Sequence, residues 1–165
     1  MKPIILGIDP GLYGALAFVE LVGGTPRVEV VDMPIVAKQV NGMRRSRIDK
    51  SALADLIANR IHALRCVVIE DVHALPKDGP VQAFTFGYGL GLLHGICQVY
   101  DLTVVNVPPQ VWKAKYGLTS DKDKSRAVAS RFFPHNTDLW PRKKDDGRAE
   151  AALLGLLGFT EGLGR

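Results

Sequence analysis

The sequence predicts an α/β fold built on one mixed five-stranded sheet, with strand order 3-2-1-4-5 and helices on both faces. Three observations predict it. Strand-like apolar segments joined by short turns fill the first 33 residues without a helical pattern between them. Each later strand-like segment follows a helix-like segment, which is the connection that parallel strands require. The length of 165 residues suits a single domain, residues 1–165, that can bury a core.

Three strands are predicted at the N-terminus, over residues 3–9, 13–20 and 27–33. Pro10-Gly11-Leu12 supplies a turn between the first two, and rough alternation in the third indicates a strand with one buried face. We expect these strands to pair as an antiparallel meander. Residues 34–46, which follow, are predicted to form an irregular basic loop.

Two helix–strand units are predicted next. Residues 49–65 carry an apolar stripe at helical spacing and lead into the short apolar strand 66–70. Residues 81–99 are predicted to form a glycine-rich helix, which leads into strand 103–107. The chain is completed by two predicted helices, over residues 122–132 and 148–157.

This order of elements is that of the ribonuclease H-like fold. In such a sheet the first strand lies beside the fourth, so residues 3–9 and 66–70 end at the same edge. Open α/β sheets place their sites at that edge. Gly7 and Gly11 flank the acid that ends the first strand, and we expect them to leave room for a phosphate group.

Acidic residues occupy positions where a buried carboxylate is costly. Asp9 and Glu70 each end an apolar strand, and Asp146 and Glu150, four residues apart, share one face of an otherwise apolar helix. Converging carboxylates in an apolar setting become tolerable when they bind a cation. The net charge of +4 suits a polyanionic partner. Together these features predict the divalent-metal site of a nuclease.

Other roles stay open for these acids. Asp9 precedes Pro-Gly, where an aspartate commonly serves only the turn. Asp71 competes with Glu70, since alternation cannot choose between them. The helix dipole favours acids in a first turn whatever their function, which accounts for Asp145 and Asp146 without a metal. Asp145 is also an alternative to Asp146 as a ligand.

Three segments, in this order, resemble the RuvC family of Holliday junction resolvases. They are Leu6-Gly7-Ile8-Asp9-Pro10-Gly11, Val68-Ile69-Glu70 and Asp146-Gly147-Arg148-Ala149-Glu150-Ala151. The branch that includes the chloroplast junction resolvase of plants is the closer match. Four further motifs carry that likeness: Pro76-Lys77-Asp78-Gly79, Phe86-Gly87-Tyr88-Gly89, Trp112-Lys113 and Arg142-Lys143-Lys144-Asp145. The resemblance covers nearly the whole chain.

The resemblance implies a Mg²⁺-dependent homodimer that cuts a four-way DNA junction by paired symmetric nicks and leaves 5′-phosphates. Two Mg²⁺ ions are expected, with Mn²⁺ as a substitute. The implied catalytic residues and metal ligands are Asp9, Glu70, Asp146 and Glu150. Family members often carry a histidine in place of Asp146, and RuvC usually spaces the last two acids by three residues. Proteins of DNA recombination or replication are candidate partners.

Basic and aromatic residues are the candidate DNA contacts. Loop arginines can grip phosphates in a bidentate manner, although a solvated charge run is the alternative. Basic residues at the start of helix 122–132 oppose the helix dipole, which favours a phosphate contact. The aromatics of the glycine-rich helix could unstack bases or pack in the core or a dimer seam. The full set is Arg44, Arg45, Arg47, Lys77, Phe84, Phe86, Tyr88, Lys113, Lys122, Lys124 and Arg126.

Three alternative functions share parts of this pattern. Another ribonuclease H-like nuclease, acting on other branched DNA or on RNA-containing substrates, would use the same ligands. A sugar or acetate kinase-like ATPase has a similar phosphate loop but needs two such domains, and a junction-binding protein with a dead site would not need all four acids.

The sequence also predicts where the protein resides. It has no apolar run of the ~20 residues that span a bilayer, and no secretory signal. Cys66 and Cys97 are expected to be buried reduced thiols. We therefore expect a cytoplasmic protein, nucleoid-associated or phage-encoded, without a membrane partner. An organellar location stays open if a transit peptide has been removed.

Overall fold

The computed structural model describes residues 2–40, 42–74, 78–118 and 122–163, apart from the side chains of Val40, Lys122 and Asp123. Its central sheet consists of β1 (Ile4–Asp9), β2 (Ala15–Val22), β3 (Thr25–Asp32), β6 (Leu64–Glu70) and β7 (Val104–Val107). β1, β2 and β3 pair as an antiparallel meander, whereas β6 pairs in parallel with β1 and β7 with β6. The spatial order β3-β2-β1-β6-β7 confirms the predicted fold class and strand order.

The register of the sheet brings the first two acids together. Ile8 in β1 is the partner of Ile69 in β6, so Asp9 and Glu70 follow at the carboxyl ends of neighbouring parallel strands. The sequence-based prediction that these two residues share one edge of the sheet is therefore confirmed.

A β-hairpin stands where an irregular basic loop was expected over residues 34–46. Its strands are β4 (Ile35–Val40) and β5 (Met43–Ile48), which form a separate two-stranded antiparallel sheet. The loop prediction was wrong because basic side chains interrupt the apolar alternation of a strand. The dipeptide Asn-Gly at residues 41–42 is a hairpin signal in the sequence, and Gly42 has a left-handed φ of 77°.

Within the described ranges, five α-helices pack around the sheet: α1 (Lys50–Ala58), α2 (Pro80–Val99), α3 (Pro109–Lys115), α4 (Lys122–Phe132) and α5 (Asp146–Thr160). α1 begins after Asp49, whose carboxylate accepts hydrogen bonds from the backbone amides of Ser51 and Ala52. It ends before the predicted residue 65, since Leu64 pairs with Ile4 in the sheet although it matches the helical spacing. The short helix α3 was not predicted.

Apolar clusters cover both faces of the sheet. On one face α5 packs against β1 and β2, together with Trp112, Phe133 and Trp140. On the other face, α1 and α2 contribute Leu53, Ile57 and Leu93. The expectation of buried thiols is confirmed, since both cysteines are buried and free. None of the helices among the described residues is long and apolar enough to cross a membrane.

The α5 helix crosses β1 in direct backbone contact. A Cβ atom at Gly7 would lie 2.1 Å from the carbonyl oxygen of Ala151 and 2.3 Å from the backbone nitrogen of Gly155. Gly7 therefore allows the helix to approach the strand. The expectation that Gly7 leaves room for a phosphate was wrong, because its open side is filled by α5.

Candidate active site

Asp9 is enclosed by a turn and by the start of α5. The amide of Gly11 donates a hydrogen bond of 3.3 Å to Asp9 Oδ1. A Cβ at Gly14 would lie 2.1 Å from the Asp9 carbonyl oxygen, and one at Gly147 would lie 2.8 Å from Asp9 Oδ2. Gly14 and Gly147 thus let the backbone close around this carboxylate, a role that sequence reasoning missed.

The charges of the other three predicted acids act on Asp9. Burial raises the pKa of Asp9 from its usual 3.8 to about 7, and the charges of Glu70, Glu150 and Asp146 add to the rise. The hydrogen bond from Gly11 opposes it. The carboxylates of Glu70, Glu150 and Asp146 are therefore near enough to Asp9 for their charges to act on it.

Glu70 is buried at the end of β6 and has two partners from α3. The indole Nε1 of Trp112 donates a hydrogen bond of 3.1 Å to Glu70 Oε1, and Lys113 Nζ lies 3.9 Å from the same oxygen. Burial raises the pKa of Glu70, while Lys113 lowers it. Asp71 instead lies near His73, with 3.8 Å between its Oδ2 and the imidazole Nε2. The structure thus favours Glu70 over Asp71 as a member of the cluster.

Glu150 is oriented by α4 and by the same lysine. The buried hydroxyl of Ser125 donates a hydrogen bond of 2.9 Å to Glu150 Oε1, and Lys113 Nζ lies 3.5 Å from that oxygen. Lys113 therefore connects Glu70 with Glu150. The roles of Trp112 and Ser125 toward these acids were not predicted, since α3 itself was not and a lone buried serine carries no sequence signal.

Asp145 belongs to a separate ion pair. Its carboxylate accepts hydrogen bonds from the backbone amide of Arg142 at 2.9 Å and from the guanidinium at 2.8 and 3.0 Å. These hydrogen bonds lower the pKa of Asp145 to about 2. The charge of Asp146, by contrast, helps to raise the pKa of Asp9. Of the two alternatives left by the sequence, the structure favours Asp146 as the residue of the cluster.

The four acids converge without closing into a ligand set. Among the described residues, no three histidine, cysteine or acidic side chains lie close enough to hold a metal ion. The chemistry of the donors nevertheless fits a hard divalent cation, because all of them are carboxylate oxygens. The raised pKa of Asp9 reflects burial and repulsion that a cation would relieve. The two-ion site stays a prediction.

The metal-free protein is expected to lose stability as pH rises from about 4 to about 7. Over this range folded Asp9 keeps a proton that the unfolded chain releases, so the unfolding free energy falls with pH. Each unit of pKa difference corresponds to about 1.4 kcal/mol. The raised pKa of Glu70 contributes in the same sense. Asp9→Asn should therefore remove the Asp9 part of this fall and raise the melting temperature in EDTA above pH 7.

Thermal unfolding between pH 5 and 8 measures this effect. The pKa of Asp145 is about 2, and hydrogen bonds with Arg148 lower the pKa of Asp32. Both groups therefore change the stability of the protein only below that pH range. Asp55→Asn, at an exposed position of α1, is the matched control and should keep the profile of the unaltered protein. An unchanged profile in Asp9→Asn would contradict the raised pKa.

A groove of about 840 Å³ lies beside the turn that follows Asp9. Its walls are that turn, the hairpin β4–β5 and the first turns of α2. The lining residues are Pro10, Gly11, Leu12, Tyr13, Arg44, Arg45, Ser46, Arg47, Ile48, Gly79, Val81, Gln82, Thr85, Phe86 and Gly89. The structure thus brings together the three predicted arginines and Phe86, and adds Tyr13, which sequence reasoning missed.

Phe84 and Tyr88 lie outside the core. Phe84 is 68% exposed and Tyr88 42% exposed, and their rings stack with 6.5 Å between centroids. Core packing, one of the alternatives left by the sequence, is therefore wrong for these two side chains. Contact with DNA and a dimer seam both stay as predictions.

The remaining candidate DNA contacts have varied surroundings. Lys77 and the side chain of Lys122 lie outside the described residues. Lys124 is exposed, whereas Lys113 faces the acidic cluster. Arg126 donates hydrogen bonds to the backbone carbonyls of residues 140 and 141, at 3.5 and 3.1 Å, which gives it a structural role that was not predicted.

Comparison with known proteins adds a sequence match to slightly less than half of the chain. The chain is 35% identical over 82 residues to the protein named Holliday junction resolvase MOC1, chloroplastic, from Chlamydomonas reinhardtii. The match covers 48% of this chain and 9% of that relative, so it spans a small part of the relative's length. No protein-family model matches the chain.

Solved structures match the chain over almost its full length. T. thermophilus RuvC in complex with a Holliday junction substrate has a TM-score of 0.64 at 16% identity, with 96% of each chain covered. Another Thermus thermophilus RuvC structure has a TM-score of 0.60 at 17% identity, again with 96% of each chain covered. The structure of the fowlpox virus Holliday junction resolvase has a TM-score of 0.54 at 16% identity, with 97% of this chain and 99% of that chain covered. The fold is therefore RuvC-like, as the sequence motifs predicted.

Proposed function

We propose that this chain is a RuvC-like Holliday junction resolvase, an endonuclease whose single domain resolves four-way DNA junctions. The observation that carries the proposal is that the charges of Glu70, Asp146 and Glu150 all act on Asp9, which lies at the end of β1 next to a groove lined by arginines. The relatives with this fold, and the one with shared sequence, are themselves named as Holliday junction resolvases or RuvC.

A divalent cation is the proposed cofactor, with Mg²⁺ as the natural ion, Mn²⁺ as a substitute and two ions as the expected number. Asp9, Glu70, Asp146 and Glu150 would hold it. When bound, such a cation supplies a water of lowered pKa and stabilises charge on the departing oxygen. No side-chain nucleophile is then required.

Neighbouring side chains support this set of acids. The Trp112 indole and the Ser125 hydroxyl fix one oxygen each of Glu70 and Glu150, which limits their rotation. Hydrogen bonds of this kind orient metal ligands, and their loss typically reduces metal affinity or activity by about 10- to 100-fold. Lys113 partly neutralises both carboxylates.

A homodimer is part of the proposal, because a two-fold axis would present two such sites to the two opposed strands of a junction. The α2 helix offers an uncharged exposed face for it. Phe84, Tyr88 and Val99 are exposed there, and a Cβ at Gly91 or Gly95 would meet open space. Sedimentation should give a species of about twice the chain mass of 18.0 kDa, and Gly91→Arg should reduce it to the monomer.

Delivery of the junction by recombination or replication proteins is also proposed. The relative that is named as chloroplastic supports an organellar location as an alternative to a cytoplasmic one.

The test of this function is a Mg²⁺-dependent nicking assay on three substrates of matched sequence: a four-way junction, a linear duplex and an RNA–DNA hybrid. We expect paired symmetric nicks with 5′-phosphate ends, confined to the junction. Efficient cutting of the hybrid or of the duplex would instead favour the alternative, a ribonuclease H-like nuclease for other substrates. Tight junction binding without cutting would contradict an active enzyme.

A further inference from the structure

We infer that the groove beside Asp9 holds an unstacked nucleotide of the DNA strand to be cut, with its base against Tyr13 and its flanking phosphates on Arg44 and Arg45. This inference rests on the proposed function and deepens it. It specifies the part of a branched substrate that the protein recognises.

The charge of the groove favours a phosphate chain. Three arginines line it, and no acid is found among the lining residues that the structure describes. The Arg47 side chain is bound within the protein, because its Nη1 donates a hydrogen bond of 2.8 Å to Thr85 Oγ1 in α2. Arg44 is exposed and Arg45 partly exposed, which leaves these two guanidinium groups at the surface where phosphates can be gripped in a bidentate manner.

The walls of the groove are tied to one another. The Ile48 side chain of the hairpin packs on α2, where a Cβ at Gly89 would lie 2.9 Å from Ile48 Cδ1. The amide of Met33, just before the hairpin, donates a hydrogen bond of 3.0 Å to the carbonyl of Gly14 in the turn after Asp9. Because the turn that follows Asp9 is one of these walls, a strand seated in the groove would pass beside that residue.

Tyr13 supplies the surface for a base. It lies four residues beyond Asp9 and is 84% exposed, with Leu12 and Phe86 among the other apolar residues of the groove. An exposed aromatic ring in a basic groove is the usual platform for an unpaired base, since every base offers a π-face for stacking. Bases inside a duplex are covered by their neighbours, so the ring selects a nucleotide that has left the stack. We expect such nucleotides at the crossover of a four-way junction, where base pairs change their stacking partners.

Cross-linking locates the base directly. The full chain in EDTA, which prevents cutting, is irradiated with a junction that carries 5-iodouracil at the exchange point, and the linked residue is identified by mass spectrometry. We expect the linkage at Tyr13, and none when the label lies in the middle of an arm. Linkage only at residues outside the groove would overturn the inference.

Binding measurements separate the base contact from the phosphate contacts. Tyr13→Leu should weaken junction binding by about 10-fold and leave linear duplex binding and the salt dependence unchanged. The double variant Arg44→Ala, Arg45→Ala should weaken the binding of both the junction and the linear duplex. It should also reduce the slope of log affinity against log salt concentration by about 2. Arg65→Ala, an exposed arginine of β6 away from the groove, is the matched control and should bind normally.

The outcomes distinguish this inference from the proposed function. If the protein nicks junctions but its Tyr13→Leu variant binds them with unchanged affinity, the proposed function is supported and the inferred nucleotide site in the groove is overturned. A protein that cross-links through Tyr13 but fails to nick any junction supports the groove and overturns the nuclease.

Discussion

Asp9→Asn is expected to abolish nicking of a four-way junction while junction binding is preserved. Asn has the shape of Asp and keeps an oxygen that can accept the hydrogen bond from Gly11. It cannot carry the charge that a cation at this site requires. Asp9 is also the acid on which the charges of Glu70, Asp146 and Glu150 act. We therefore expect a loss of about 1,000-fold in rate, the upper end of the range for removing one group that stabilises transition-state charge.

Nicking in Mg²⁺ and junction affinity in EDTA, measured on the same preparation, test this expectation. Asp71→Asn is the matched control, because Asp71 follows Glu70 directly but lies near His73 instead of the cluster. It should cut at the rate of the unaltered protein. Normal cutting by Asp9→Asn would remove Asp9 from the proposed mechanism, and inactivity of Asp71→Asn would reopen the choice between Asp71 and Glu70.

Gly7→Ala is expected to destabilise the fold by about 3 kcal/mol, the upper range for overpacking a core. The added methyl group would lie 2.1 Å from the Ala151 carbonyl oxygen and 2.3 Å from the Gly155 nitrogen. Both are backbone atoms of α5, so the helix as a whole must move away from the sheet. Since α5 also carries Asp146 and Glu150, the same shift should weaken the acidic cluster.

Urea unfolding of Gly7→Ala and Gly11→Ala measures the effect within one motif. A Cβ at Gly11 would have Asp9 Oδ1 as its nearest neighbour, at an ordinary contact distance of 3.6 Å. Gly11→Ala should therefore change stability by less than about 1 kcal/mol. Equal stability of the two variants would contradict the close contact between α5 and β1.

Much of the fold followed from local patterns. The apolar runs that end at Asp9 and Glu70 predicted two neighbouring strands, because fully buried parallel strands have a distinctive composition. The four-residue spacing of Asp146 and Glu150 predicted that both lie on one face of a helix, and both residues do lie in α5. These features depend on residues close in sequence and on the general rules of βαβ connection, so the sequence by itself determined the sheet order and the acids that share its edge.

The tertiary structure alone decided what fills the space around that edge. The sequence left Asp145 and Asp146 as alternatives, and only the hydrogen bonds of Arg142 with Asp145 separate them. The sequence predicted that Gly7 leaves room for a phosphate, whereas the position of α5 shows that Gly7 faces this helix. The groove, too, joins a hairpin, a turn and a helix that are distant in the chain. Such contacts depend on how elements pack in three dimensions, and no periodicity or spacing within one segment encodes them.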